Sequence, residues 1–560
     1  MNERKSDYVI VGGVAAGPKT AATLARRMPD AKITLFQKEK FLSYAPCGMP
    51  YFASGDIESF QKLMTTPYDV VRNERFFETS KGFEAVTGAE VTHIDREKKS
   101  VTVRMTDTGE SFEHEYGMLV LATGAAPIKP GFPVADSPMI RPFARPDDAI
   151  AFRKAAQQGE VGKAVVIGGG YIGCELVESA AGMWGIETTL IERENQVLPS
   201  VLDPEMAAIV EREMLRQGIE LITSAEVERV DLNDEGKPVV SIRGRDEITA
   251  DYVFLCLGVR PEVTLARECG LRIGNSGGVH VDSHMCTTDP SIYAGGDCVE
   301  SYHRITGTYV LAPLGSLANR HGRVIAENLA GNQTEFRGVV GSFFVKIFDV
   351  NVGSVGLSQK AAESLDFRAE AVWGTFPDKP DFYPEFKLFA AKMVYAADDG
   401  RLLGLQAVGA GDICSHVDVF SSFLQRRGML DDLLDFEHGY APPYSEPVDP
   451  LHHLAGIAIA QERGTQFVAP GVNFPDGALV LDVREEHEVS SRPWPTDHGI
   501  EVLRIPSGEL KQRIGEVDSN RTIYIVCGRG SRSYQVALML EHAGFENVHV
   551  VGGGVLASLA

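Results

Sequence analysis

The sequence predicts an α/β protein of roughly three to four domains, because 560 residues exceed what one hydrophobic core organises. Two further observations shape that expectation. Two well-separated stretches read as a short apolar strand, a glycine turn and a helix. A third strand–loop–helix pattern near the C-terminus carries a cysteine at the head of its loop.

The first unit opens with Tyr8-Val9-Ile10-Val11, an apolar run of strand type, then Gly12-Gly13-Val14-Ala15-Ala16-Gly17 and a small-residue helix through Ala21, Ala22 and Leu24. The first amides of such a helix can bind a pyrophosphate. Its next strand, Ile33-Thr34-Leu35-Phe36, ends at Gln37, where a ribose-binding acid is expected; an amide still hydrogen-bonds a hydroxyl. The second unit is Ala164-Val165-Val166-Ile167 followed by Gly168-Gly169-Gly170-Tyr171-Ile172-Gly173. Its strand Thr188–Ile191 ends at Glu192, a carboxylate placed for the adenine ribose of NAD, while Arg193 keeps NADP open. Two Rossmann-like dinucleotide-binding units in one chain are far more specific than one.

Composition sets the class. Hydrophobic residues at 44% and charged residues at 23% are those of a soluble globular chain. A net charge of −23 argues against nonspecific nucleic-acid or anionic-membrane partners. The stretch Met1–Asp7 has no apolar signal core, and no apolar run is long enough to cross a membrane, so the expectation is cytoplasmic without membrane insertion. Eight cysteines without a Cys-x-x-Cys pair fit a reducing compartment and no metal site.

Two of those cysteines stand in distinctive settings. Cys47 lies in Ser43-Tyr44-Ala45-Pro46-Cys47-Gly48-Met49-Pro50-Tyr51, and Phe52 stands at the position five further on. If Cys47 opens a helix, the helix N-terminus favours its thiolate, the nucleophile toward sulfur–sulfur bonds. Cys527 opens Cys527-Gly528-Arg529-Gly530-Ser531-Arg532. Tight glycine turns aim successive amides at an anionic sulfur, and Arg529 and Arg532 offer forked donors to thiosulfate-like or phosphate-like groups. Cysteine phosphatases, the alternative, use a loop one residue longer, and Ser533 stands where their arginine would be. Asp482 and Arg484 read as a structural ion pair rather than as catalytic groups.

With Leu119-Val120-Leu121-Ala122-Thr123-Gly124 and Thr288–Asp297, the chain resembles the two-domain flavoprotein reductases of the pyridine nucleotide–disulfide oxidoreductase superfamily over about residues 6–450. That resemblance implies FAD and NADH or NADPH as cofactors. Asp297 would contact the ribityl chain of FAD, Thr123-Gly124 would be the crossing between nucleotide domains, and Tyr171 would cover the nicotinamide site. Cofactor contacts are expected at Gly12, Gly13, Ala15, Gly17, Gln37, Lys38, Thr123, Gly124 and Asp297, and at Gly168, Gly170, Tyr171, Ile172, Gly173, Glu192, Arg193 and Gly258. From about 465 onward the chain resembles a rhodanese domain. The implied divisions are an FAD-binding domain in two parts, 1–125 and 259–330, an NAD(P)H-binding domain at 126–258, an α+β dimerisation domain at 331–452, a linker at 453–466 and an α/β rhodanese domain at 467–560.

The Cys47 stretch itself resembles the redox motif of coenzyme A–disulfide reductases and related persulfide reductases. Where disulfide reductases of the superfamily carry a second cysteine, Phe52 leaves Cys47 a lone redox thiol. Tyr440-Ala441-Pro442-Pro443-Tyr444 matches the motif through which a partner subunit supplies a tyrosine, so the resemblance implies a homodimer with Tyr440 as proton donor or thiolate stabiliser. Ser43 and Arg26 fall at positions that in the family touch coenzyme A, and Tyr383, in Asp381-Phe382-Tyr383-Pro384, is the candidate for the family's second, substrate-binding tyrosine. The implied function is FAD-dependent NAD(P)H reduction of a persulfide, polysulfide or coenzyme A disulfide, coupled to sulfur carriage on Cys527. The alternatives are an NADH oxidase or peroxidase working through a cysteine sulfenic acid, and a flavin redox sensor. Against the first, Ala15 stands where those enzymes carry a histidine.

Overall fold

The structure is a computed structural model, which describes residues 4–471, 473–493 and 500–558. The chain divides into two compact units, Met1–Arg193 with Ala225–Val339, and Glu194–Ser224 with Val340–Ala560.

In the first unit the apolar run of the first dinucleotide motif becomes the strand Lys5–Val11, parallel to Ile33–Phe36 on one side and to Ser111–Leu121 on the other. Glu84–Val86 extends this parallel set, and an antiparallel pair, Ala89–Asp95 and Ser100–Met105, continues it at the other edge. Ile292–Ala294 pairs parallel to Leu119–Leu121, so a segment distant in sequence returns to the first sheet. Val9, Ile10, Leu35, Leu119, Val120 and Ile292 are fully buried within one core, because a parallel sheet covered on both faces reads as continuous apolar runs. A second parallel sheet includes, in order, Glu187–Ile191, Lys163–Ile167, Tyr252–Leu255 and Ile140–Pro142. Crossing segments Ala125–Pro127 and Val259–Pro261 pair antiparallel, and the Thr123 hydroxyl donates to the Glu262 carbonyl at 2.6 Å.

In the second unit an antiparallel sheet runs Phe343–Ile347, Val350–Gly356, Leu402–Gly409, Leu388–Ala396, Ala369–Pro377. Lys392 is 2% exposed there, and its ammonium is held between Asp203 at 2.9 Å and Glu205 at 2.6 Å. Gln406 donates to Asp203 and Trp373 to Glu205, which satisfies the buried oxygens. These buried charges tie Asp203 and Glu205 to the sheet of the second unit.

The C-terminal part of that unit is a five-stranded parallel sheet in the order Gln466–Val468, Val548–Val551, Ile523–Val526, Leu479–Asp482, Glu501–Arg504. Leu479, Leu481, Ile523 and Ile525 pack beneath the helix Ser531–His542, while Val480 and Val526 face a second cluster. Arg484 forks onto Asp482 at 2.7 Å with both side chains buried and also donates to the Arg492 carbonyl, a brace rather than a reactive pair.

Candidate active site

The two glycine turns are built alike. Gly12 and Gly168 adopt φ of +113° and +111°, where a side chain would run into the carbonyls of Ala122 and Cys256 respectively. Gly17 and Gly173 sit against the carbonyls of Gly12 and Gly168, so each helix packs close to its own turn. The Gly13 amide donates to Gln37 Oε1 at 2.7 Å, and the Gly169 amide to Glu192 Oε2 at 2.6 Å. Gln37 therefore takes the place in the first turn that Glu192 takes in the second. Neither helix, Ala16–Arg27 nor Tyr171–Val177, has a side-chain cap, which leaves its leading amides for a phosphate. Both cradles, each at its own glycine turn in the first unit, fit a dinucleotide. Lys38, expected at a cofactor, makes an ion pair with Glu90 at 2.7 Å.

Cys47 lies in a single tight turn, Pro46–Gly48, that leads into the short helix Met49–Ser54. Three residues fix that helix onto the second nucleotide unit: Ser179 donates to the Pro50 carbonyl at 3.0 Å, Trp184 to Ala53 at 2.8 Å and Arg153 to Phe52 at 2.9 Å. Phe52 is buried against Phe60 and under Arg153. The motif cysteine is thereby carried to the helix Tyr171–Val177.

Around Cys47 gather Tyr171, Glu175 and Asp297, each close enough to act on its neighbours' ionisation. Burial, then the repulsion of Glu178, pushes the Glu175 carboxyl up to about 7, against the opposing hydrogen bond from the Tyr51 hydroxyl. Burial alone pushes Asp297 up to about 6. Asp297 follows Gly295-Gly296, where the Gly296 amide donates to His321 Nδ1 at 3.2 Å; burial holds that imidazole neutral, down to about 4. A methyl on Gly296 would lie 3.2 Å from Ala16 Cβ, so the Asp297 turn meets the start of the first helix.

The thiolate expectation for Cys47 is corrected here. Solvent reaches the residue, yet surrounding protein desolvates its sulfur; that desolvation first, then Glu175 and Asp297, pushes the thiol up rather than down. Ser43 adopts φ of 47° and donates its amide to the Gly13 carbonyl at 2.7 Å, which ties the cysteine stretch to the first glycine turn. Arg26 projects to solvent from the last turn of the first helix and donates to Thr23.

In the second unit Tyr440 is 48% exposed on a loop closed by Ser445 donating to the Gly439 carbonyl at 2.9 Å. Tyr444 and Phe382 are exposed and Tyr383 is half-buried. Cys527 is 1% exposed and its sulfur accepts the Gly530 amide at 3.1 Å. Gly530 reaches φ of +105° to aim that amide, and the Val555 amide donates to the Cys527 carbonyl at 2.8 Å. One of the two loop arginines is already engaged. Arg532 binds both oxygens of Glu488, at 2.7 and 2.5 Å, and Arg529 lies 3.7 Å from Asp381. Glu175, Tyr51 and Glu488 were missed from sequence. Glu175, one helical turn past Tyr171, carried the only local signal.

Among the described residues no cluster of His, Cys, Asp and Glu could hold a metal ion, and no helix is long and apolar enough to cross a membrane. The geometry defines a flavoprotein-type oxidoreductase: two dinucleotide cradles, a thiol carried to the second, and a separate cysteine loop. Its first 6–313 residues match the pyridine nucleotide-disulphide oxidoreductase family, 343–451 the dimerisation domain of that family, and 473–558 the rhodanese-like domain. The chain belongs to the pyridine nucleotide-disulphide oxidoreductase family, which implies FAD and a nicotinamide nucleotide. It is 35% identical over 455 residues, 81% of this chain and 98% of the relative, to an NAD(P)H sulfur oxidoreductase (CoA-dependent) of Pyrococcus abyssi. A protein named NADH oxidase from Methanocaldococcus jannaschii is 33% identical over 458 residues, 80% of this chain and 98% of that one. A solved NAD-dependent persulfide reductase from A. fulgidus superposes with a TM-score of 0.94 at 34% identity, covering 99% of this chain and 100% of its own.

Proposed function

We propose that the chain is an FAD- and NAD(P)H-dependent reductase of sulfur–sulfur bonds, acting on a persulfide, polysulfide or coenzyme A disulfide through Cys47, with Cys527 as its sulfur carrier. The observation that carries this reading is the convergence of Cys47 with Tyr171, Glu175 and Asp297, with Phe52 rather than a second thiol beside it. A lone thiol must hold its sulfur partner from outside the chain.

Gly12, Gly13, Gly17, Gln37 and Asp297 would hold FAD, and Gly168, Gly170, Gly173 and Glu192 the nicotinamide nucleotide. FAD, when bound, supplies the electron pair taken from NAD(P)H that reduces the sulfur bound to Cys47. Cys47 attacks the outer sulfur–sulfur bond as its thiol proton passes to the leaving sulfur, so that a thiol or sulfide departs and a mixed disulfide or persulfide stays on Cys47. Glu175, protonated below about pH 7, holds a proton beside the site and removes one negative charge from the path of an anionic substrate. Tyr171 screens the crevice from water. Tyr440, on its exposed loop, would reach the Cys47 site of a second copy, which makes a homodimer the working form. Coenzyme A binding near Ser43 and Arg26 belongs to the same reading, as does a preference for NADH set by Glu192.

The sulfenic-acid oxidase reading predicts comparable turnover with oxygen. Steady-state NAD(P)H oxidation with coenzyme A disulfide, coenzyme A persulfide, polysulfide and oxygen separates the two. Sulfur substrates should exceed oxygen by at least about a hundredfold in kcat/KM, on the scale of a specific pocket contact. Oxygen turnover equal to the best sulfur substrate would replace the reductase reading.

A further inference from the structure

We propose that Glu488 is a specificity-determining residue of the Cys527 loop: by occupying the Arg532 fork it excludes small oxyanionic sulfur donors such as thiosulfate and favours persulfides with uncharged tails. The inference rests on the reading of Cys527 as a sulfur carrier.

Arg532 opens the loop-proximal turn of the helix Ser531–His542, where a guanidinium would ordinarily present paired N–H groups to an oxyanion. One N–H on each end of that fork is taken, on Nη1 by Glu488 Oε2 at 2.7 Å and on Nη2 by Glu488 Oε1 at 2.5 Å, and the carboxylate offsets the guanidinium charge. Glu488 is fixed in turn, since its Oε2 also accepts the Glu485 amide at 3.0 Å in a capping arrangement. A methyl on Gly528 would lie 3.3 Å from Glu488 Oε1 and 3.4 Å from Arg532 Nη2, which puts the pair directly against the loop. The hydrogen bonds from Arg532 hold the Glu488 carboxyl down to about 2, so the carboxylate persists at any working pH.

The second loop arginine does not replace the first. Arg529 faces Asp381, and Glu446 lies close enough to feel both of them. The two guanidinium charges of the loop therefore meet carboxylates, Arg532 that of Glu488 and Arg529 those of Asp381 and Glu446. The sulfur's hydrogen bond comes from an uncharged donor, the Gly530 amide on Cys527 Sγ, and Arg532 acts on it as a charge already shared with Glu488. Such a nest stabilises a terminal persulfide anion but gives a sulfonate no ion pair.

The two loading reactions differ only in the donor. With a neutral-tailed persulfide, RS–SH and the Cys527 thiolate give RSH and the Cys527 persulfide anion; the donor S–S bond breaks as the new one forms. With thiosulfate the same attack expels sulfite, and three negative charges must share the loop. Cyanide then takes the outer sulfur as thiocyanate and restores the thiolate in either case.

The test uses the full-length protein and measures cyanide-dependent thiocyanate formation from thiosulfate and from 2-hydroxyethyl persulfide. Glu488→Gln keeps the shape but frees one side of the fork, and it should raise the thiosulfate-to-persulfide ratio of kcat/KM about tenfold, mostly through a lower thiosulfate KM. An unchanged or lower ratio, or equal loss with both donors, would show a purely structural pair and overturn the proposal. The parent protein gives an independent reading. Its thiosulfate kcat/KM should rise with ionic strength, because salt screens repulsion; a fall with salt would mean net attraction and would also overturn it. Cys527→Ser tells the two readings apart. Thiocyanate formation that survives this change defeats the carrier assignment itself, whereas formation that needs Cys527 but ignores Glu488 defeats only the selectivity argument.

Discussion

Glu175→Gln probes the electrostatics of the Cys47 site most sharply. A glutamate pushed from its usual 4.5 to about 7 is disfavoured as its anion by ~3 kcal/mol, at 1.36 kcal/mol for each tenfold change. The sign follows from proton binding. The folded state holds a proton that the unfolded chain has already released, so stability falls as pH rises from about 4.5 through about 7. Above that window the full cost is present; below it there is none. Glutamine cannot ionise, and it keeps an acceptor for Tyr51. The variant should therefore be more stable than the parent at pH 8 by up to ~3 kcal/mol and equal to it near pH 4.5, by urea unfolding of the flavin-free chain. It should also ionise Cys47 at lower pH, because the Glu175 carboxylate is one cause of the raised thiol, and the pH profile of Cys47 alkylation reads that directly. Equal stability at pH 8, or an alkylation profile displaced to higher pH, would refute the charge assignment.

Two other outcomes are expected. Lys392→Met leaves Asp203 and Glu205 buried without their cation, and the second unit should lose about 3–5 kcal/mol by denaturant unfolding; a loss under about 1 kcal/mol would mean that water reaches those carboxylates. Mixed dimers of Cys47→Ser and Tyr440→Phe chains, each inactive alone, should regain part of the NAD(P)H-dependent activity, and dead hybrids would place Tyr440 outside the partner's site.

The parts of this protein that sequence exposes are those in which backbone geometry demands a residue type. Gly12 and Gly17, like Gly168 and Gly173, leave no room for a side chain, so the two turns are visible without a structure. Gln37 looked like a departure from its motif, yet it accepts the Gly13 amide as Glu192 accepts that of Gly169, because the turn requires an acceptor rather than a charge. Tertiary arrangement set the rest. The state of the Cys47 thiol depends on Glu175 and Asp297, which stand far from it in the chain and meet it only after the helix Met49–Ser54 docks through Ser179, Trp184 and Arg153. Arg529 and Arg532 were legible as cations beside a cysteine but not as cations already paired, since Glu488 and Asp381 come from other elements.

The central claim is that electrons reach sulfur at Cys47 while sulfur is carried at Cys527, and single serine substitutions measured side by side test it most directly. Cys47→Ser should abolish NAD(P)H-dependent reduction of coenzyme A persulfide and leave cyanide-dependent sulfur transfer from 2-hydroxyethyl persulfide intact. Cys527→Ser should abolish that transfer while free coenzyme A persulfide is still reduced at near the parent rate. Loss of all reduction in Cys527→Ser, or of sulfur transfer in Cys47→Ser, would contradict the account by making the two cysteines one obligatory relay.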